Sequence, residues 1–177
     1  MSERVELTIL RNLFFNEDFT RKVTPFIKSD YFTSRDERIL FEEVEKFIVK
    51  YKNSPTKEAI LIELGKRKDI NEDECKSVEN LVNGFRDEQV ELQWLLDTTE
   101  QFCKDRAVHN AVLDGIKILD NKDKKRTPEA IPSILSEALA VSFDSHIGHD
   151  YIADADKRYE WYHTTEKKYQ FDLSYFN

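Results

Sequence analysis

The spacing of hydrophobic positions predicts a chain made of amphipathic helices. In the first 87 residues, apolar side chains recur every three or four positions, as on one face of a helix. Pro25, the run Asn53–Pro55 and Gly65 interrupt the pattern, as turns and helix ends do. Five helices are expected here: Arg4 to Phe15, Glu17 to Val23, one from Ser34, one from about Thr56 to Gly65, and one from Asn71.

Two of these helices begin with a capping-box pattern. Ser34 and Glu37 have the spacing that lets a side-chain oxygen and a carboxylate each accept a hydrogen bond from a free backbone N–H. Asn71 and Glu74 repeat this spacing. Both positions are therefore predicted to start helices.

From Glu88 the pattern changes to a long helix followed by a shorter one. No proline interrupts the chain up to Leu119, and a helix of that length is about 50 Å long, so it should project from a small globule. A charged turn, Asn121–Arg126, leads to a second helix from Pro128 to Phe143. Two apolar stripes joined by a short polar turn predict an antiparallel hairpin. The hairpin residues that we predict to form an interface are Leu95, Phe102, Val108, Val112, Ile116, Leu119, Ile131, Ile134, Leu135, Ala138 and Leu139.

A last helix is predicted from Asp150 to about Lys167, after a linker that begins at Ser145. One of its faces is rich in tyrosine, and this face either packs on its own globule or binds another subunit. Its position beyond a linker favours the second interpretation. The predicted interface residues are Tyr151, Ile152, Ala155, Tyr159 and Tyr162.

Composition and charge favour protein partners over nucleic acid. The net charge is −8, whereas proteins that bind a duplex usually present a basic face. No apolar run reaches the roughly 20 residues of a membrane helix, and the first residues lack the apolar core of a signal peptide. Cys75 and Cys103 are far apart, and so low a count suggests a reducing compartment. We therefore expect a soluble, intracellular protein.

The sequence contains no convincing catalytic or metal site. No glycine-rich phosphate loop occurs, and His146 and His149 flank Gly148 in the predicted linker, which favours surface histidines over metal ligands. Glu160 and His163 have the spacing of di-iron bundles, but no second such pair exists. The basic residues of the charged turn have two interpretations, phosphate contacts or a solvated connection, and the second is favoured. These residues are Lys122, Lys124, Lys125 and Arg126.

Several segments resemble the DnaB-type replicative helicases. Ser54–Thr56, with Ala59, Leu61 and Leu64 after it, resembles a helix start of that family. Ala130–Leu135 and Ser142–Tyr151 resemble the hairpin-to-linker region of helicases from large T-even-type phages. Phe171, Leu173 and Asn177 look like the entry into the ATPase domain of these enzymes. The resemblance is weak before residue 85 and strong after Trp94.

The resemblance implies the N-terminal collar of a hexameric helicase that moves 5′ to 3′ along single-stranded DNA. Hairpins would pair between subunits, the linker helix would contact a neighbour's ATPase domain, and primase would bind the collar. The implied all-α organisation is a globule in residues 1–87, a hairpin in 88–144, a linker and linker helix in 145–169, and the start of the ATPase domain in 170–177. The family's ATP- and Mg²⁺-binding residues have no counterpart here. We therefore expect this chain alone neither to hydrolyse ATP nor to unwind DNA, and we expect it to be part of a longer protein. The resemblance also implies a cytoplasmic location in the bacterial host and contact with DNA only through the complete ring.

Two other classes stay open. A free-standing helical adaptor, such as a helicase loader or scaffold protein, requires a naturally complete chain, and reading the gene past Asn177 would distinguish it from a helicase. A metalloenzyme bundle built on Glu160 and His163 predicts stoichiometric iron or zinc in the purified protein.

Overall fold

The computed structural model describes residues 4–123 and 125–143, and the regular elements of that part are all helical. The all-α prediction is therefore confirmed. The elements are α1 (Val5–Phe15), α2 (Glu17–Val23), a 3₁₀ turn (Ser29–Tyr31), α3 (Arg35–Tyr51), α4 (Lys57–Leu64), α5 (Glu72–Gly84), α6 (Leu92–Leu119), a second 3₁₀ turn (Pro128–Ala130) and α7 (Ile131–Leu139).

Side-chain caps explain where several helices begin. At α5 both halves of the predicted capping box are present: Asn71 Oδ1 accepts from the Glu74 N–H at 2.8 Å, and Glu74 Oε2 accepts from the Asn71 N–H at 3.0 Å. At α3 the prediction is wrong for the Ser34 hydroxyl, which makes no cap hydrogen bond. The carboxylate of Glu37 is instead buried beside Arg4, with 3.4 Å between their charged groups.

The core of the globule lies around α1, which packs against α2, α3 and α6. Large side chains fill it, and the ring of Phe32 lies 5.2 Å from that of Phe41 and 5.9 Å from that of Phe102 on α6. Burying each such side chain stabilises the fold by roughly 1.5–3 kcal/mol. The largest fully buried side chains are Phe19, Phe32, Phe41, Ile9, Leu10, Leu13, Ile39, Leu40, Ile60, Leu64, Leu95 and Val23.

Helix α6 begins at Leu92, four residues later than predicted, because Glu91 caps it by accepting hydrogen bonds from the N–H groups of Gln93 and Trp94. Its 28 residues span about 42 Å. The buried positions recur along the whole helix at Leu95, Thr99, Cys103, Ala107, Ala111, Gly115 and Ile118. Its contacts are with α1, α2 and the first 3₁₀ turn, and most extensively with α7. The proposed domain boundary at residue 88 stays a prediction.

Helix α7 ends at Leu139, so the predicted extension to Phe143 is wrong. Tertiary contacts explain the difference. The ring of Phe143 stacks on Phe26 with 4.8 Å between ring centroids, and the Ser142 hydroxyl donates to Glu100 at 3.3 Å. The apolar residues after Leu139 continue the helical period in sequence, but they pack against the globule as an irregular segment.

Within the described residues, none of the helices is both long and apolar enough to cross a bilayer.

Candidate self-association surface

An exposed apolar stripe runs along the second half of α6. Val112, Ile116 and Leu119 are spaced four and three residues apart, so they lie on one helix face, with Leu113 beside them. All four are exposed, and Leu119 is 62% exposed. We call these four residues the α6 stripe. Leu139 of α7 is also exposed, at 71%. Neighbouring exposed aliphatic side chains of this kind are typical of surfaces that bind another protein.

The stripe is exposed because α6 uses a different, small-residue face to hold α7. Ala107, Ala111 and Gly115 are buried there. A Cβ atom placed on Gly115 would lie 3.6 Å from Cγ2 of Ile131, so the two helices approach closely at this point. The covered face of α6 is therefore made mainly of small side chains, with Ile118 at its end, and the large side chains of the adjacent face stay in solvent.

The structure divides the eleven predicted hairpin residues into two groups. Leu95 and Ala138 are buried, and the partly buried residues of the set lie inside the fold, where they build the hairpin and join it to the globule. The partly buried residues are Phe102, Val108, Ile131, Ile134 and Leu135. The exposed residues are Val112, Ile116, Leu119 and Leu139. Their role in contacts between subunits stays a prediction, and Leu113 joins them as a residue that the sequence analysis missed.

Charged residues on the opposite side of α6 from the stripe are paired within the chain. Asp114 accepts hydrogen bonds from Lys117 at 2.9 Å and Arg126 at 2.8 Å, and these two cations hold the pKa of Asp114 below its ordinary value. Arg126 also donates to Asp123 at 2.6 Å.

Ion pairs also neutralise part of the basic turn between α6 and α7. Arg126 is held by Asp114 and Asp123, and Lys122 pairs with Asp120 at 3.0 Å. Two of the four basic residues are thus neutralised locally, which supports the interpretation as a solvated connection rather than a phosphate site. Lys124 lies outside the described residues.

The remaining candidate chemistry is sparse in the described part. Its residues contain no group of three His, Cys, Asp or Glu side chains that could hold a metal. Cys75 and Cys103 are both free thiols, and burial raises the pKa of Cys103 to about 12, which makes it unreactive. The predicted linker-helix residues Tyr151, Ile152, Ala155, Tyr159 and Tyr162 lie outside the described residues, as do His146, His149, Glu160 and His163.

Comparison with known proteins gives one relative of known activity. No family model matches the chain. The chain is 31% identical to the DnaB-like replicative helicase of Enterobacteria phage T4, over an alignment that covers 96% of this chain. The alignment spans 37% of the T4 protein, so the chain covers a little over a third of that relative's length. The resemblance predicted from the sequence is therefore confirmed: over nearly its whole length, this chain is similar to a DnaB-like replicative helicase.

Proposed function

We propose that this chain is the collar region of a DnaB-like replicative helicase, the part that joins subunits and binds partner proteins. The observation that carries the proposal is the α6 stripe, four large apolar side chains exposed close together on one helix. Burying the stripe against a second copy would contribute roughly 1.5–3 kcal/mol per fully covered side chain, before the entropic cost of association.

In this proposal the α6 stripes of neighbouring subunits contact each other within a hexameric ring. ATP hydrolysis, with its Mg²⁺, and movement along single-stranded DNA belong to a separate domain of the same helicase. The net charge of −8 supports a region that does not itself hold DNA. Primase is the protein partner that the family resemblance supplies, and the linker helix is proposed to contact the neighbouring ATPase domain.

Light scattering over a concentration series tests the association. We expect the wild-type chain to self-associate and the double variant Ile116→Asp with Leu119→Asp to be monomeric, because two carboxylates in the stripe would have to be desolvated on contact. Ile62→Asp is the matched control, since Ile62 of α4 is as exposed as Leu119, at 62%, but lies outside the hairpin. A wild-type chain that stays monomeric at high concentration would contradict the proposal.

Primase binding is tested separately, by titrating the cognate primase into the chain. We expect binding to persist in the monomeric double variant, because docking and self-association use different surfaces in this proposal. ATPase activity of the chain alone is expected to stay at the level of a blank. ATP hydrolysis that stays with the chain through further purification would contradict the assignment of ATPase activity to a separate domain.

A further inference from the structure

A groove lies on the globule, between α2 and the second half of α3. Both helices pack on α1, but they make few contacts with each other, and this leaves a gap between them. The gap has a volume of about 700 Å³, and its lining includes Asn53 and Ser54, where the chain turns after α3. Lys52 makes this turn in the left-handed backbone region, with φ 56°, and its N–H still donates to the Ile48 carbonyl at 2.8 Å.

The lining of the groove is mainly apolar. Ile27 and Ile48 contribute to it from its two sides, with Pro25 at the start of the loop after α2. Val49 also lines the groove and is 60% exposed, whereas Val44, earlier on the same helix, is fully buried in the core. An exposed valine within an apolar concavity is a site where a partner side chain can be buried without displacing a polar group.

The charges around the groove are mixed but leave two cations unpaired. Arg21 is neutralised by Glu17, with 2.6 Å between their charged groups. Lys28 and Lys52 form no ion pair with any other described residue. Glu45 is the remaining acid, and partial burial raises its pKa. The five charged side chains that line the groove sum to +1, on a chain whose net charge is −8.

From these features we propose that the groove binds an amphipathic helix of a partner protein, with an apolar stripe facing Ile48 and Val49 and acidic residues facing Lys28 and Lys52. Two helices resting on a third leave space for a fourth, and an apolar stripe laid into such a gap is a common form of peptide recognition. The acidic flank follows from the unpaired lysines, which favour negative charge at short range. The proposal deepens the partner-docking half of the proposed function and rests on it, but not on the self-association half.

Binding of designed peptides tests the proposal. The probe is a helical peptide of about 16 residues with leucines at helical spacing and glutamates on both flanks of the leucine stripe. A matched peptide carries lysine at every glutamate position. Fluorescence anisotropy with the wild-type chain should show the glutamate peptide binding roughly tenfold more tightly than the lysine peptide, with the difference shrinking at high salt. Equal binding of the two peptides would overturn the assignment of an acidic partner.

Two variants locate the binding site. Val49→Asp should abolish binding of the glutamate peptide, and the double variant Lys28→Glu with Lys52→Glu should reverse the preference in favour of the lysine peptide. Ile62→Asp, an equally exposed aliphatic position outside the groove, should leave both affinities unchanged. Since Val49, Lys28 and Lys52 are exposed, the variants should fold, and circular dichroism checks this. Binding that survives Val49→Asp would overturn the proposed site.

The outcome is separable from the fate of the proposed function. Val49→Asp should leave self-association by light scattering unchanged, because the groove and the α6 stripe are on different elements. Cognate primase is one candidate for the partner protein, and equal binding of primase to Val49→Asp and to wild type would exclude it from the groove while leaving primase docking intact. If the wild-type chain binds the glutamate peptide but does not self-associate, only the proposed collar assembly is contradicted.

Discussion

In the first half of α6, Leu95 and Phe102 pack among the large side chains of the globule, whereas in the second half three of the four buried positions are the small residues Ala107, Ala111 and Gly115, and the fourth is Ile118. The globule end therefore covers Leu95 and Phe102 within one chain, although Trp94 is 53% exposed. The hairpin end covers mainly small residues and exposes more of its large ones, the α6 stripe and Leu139. In the proposed collar, the exposed residues of the hairpin end are the surface that a second copy of the chain covers.

The largest expected effect comes from shortening one leucine side chain in each region and comparing the loss of stability. Leu10→Ala in the globule core should lower the free energy of unfolding by about 2–5 kcal/mol, because a fully buried side chain leaves a cavity. Leu113→Ala in the α6 stripe should change it by less than about 0.5 kcal/mol at a concentration where the chain is monomeric. Urea denaturation of both variants measures the difference, and similar losses would remove the contrast between the regions.

The next effect probes the close contact between α6 and α7. Gly115→Leu should cost about 1–3 kcal/mol, because the added side chain has to displace Ile131. Gly115→Ala should be tolerated or stabilise by up to about 1 kcal/mol, since its Cβ meets Ile131 at an ordinary distance and alanine favours helix. Thermal unfolding compares the pair. Equal behaviour of the two variants would show that the helices do not approach closely here.

A smaller effect concerns the helix ends of the globule. Asn71→Ala should cost about 1 kcal/mol, because it removes the side-chain acceptor from the Glu74 N–H. Ser34→Ala is the matched control and should be close to neutral, since the Ser34 hydroxyl makes no cap hydrogen bond. The denaturation midpoints of the two variants measure these changes in stability. A larger loss of stability for Ser34→Ala than for Asn71→Ala would mean that the caps are assigned to the wrong helices.

The smallest effect is the acid sensitivity of the hairpin turn. The pKa values of Asp114 and Asp123 are lowered by hydrogen bonds, from Lys117 and Arg126 to Asp114 and chiefly from Arg126 to Asp123. Their contribution to stability is therefore present above the ordinary value of 3.8 and is lost as the pH falls through the lower folded-state pKa. Arg126→Gln should unfold with a weaker dependence on pH below about 4 than wild type. An unchanged acid slope in thermal unfolding would exclude these ion pairs as its source.

Most of the fold follows from local signals in the sequence. Apolar spacing, Pro25, Gly65 and the Asn71 cap locate the first five helices within a residue or two. The errors occur where tertiary contacts decide. Phe143 continues the helical period of α7 but stacks on Phe26, and a periodic pattern contains no information about that partner.

Only part of the candidate site could be predicted, for the same reason. The apolar period identifies Val112, Ile116 and Leu119, but it does not distinguish them from Val108 or Ile131, which the fold partly covers. Which stripe stays exposed depends on which face of α6 packs against α7, and the sequence pattern does not show this. The groove was invisible in the sequence because it joins Pro25 and Ile27 to Ile48 and Val49, positions that meet only when α2 and α3 pack on α1.

The central claim, that the α6 stripe joins two copies of the chain, is tested most directly by hydrogen–deuterium exchange at two protein concentrations. Association should slow exchange in the second half of α6 and in α7 at the higher concentration, because covering the stripe suppresses local opening of the hairpin. Exchange in α3 and α4 should not change. No concentration dependence, or slowing confined to α3 and α4, would contradict the account.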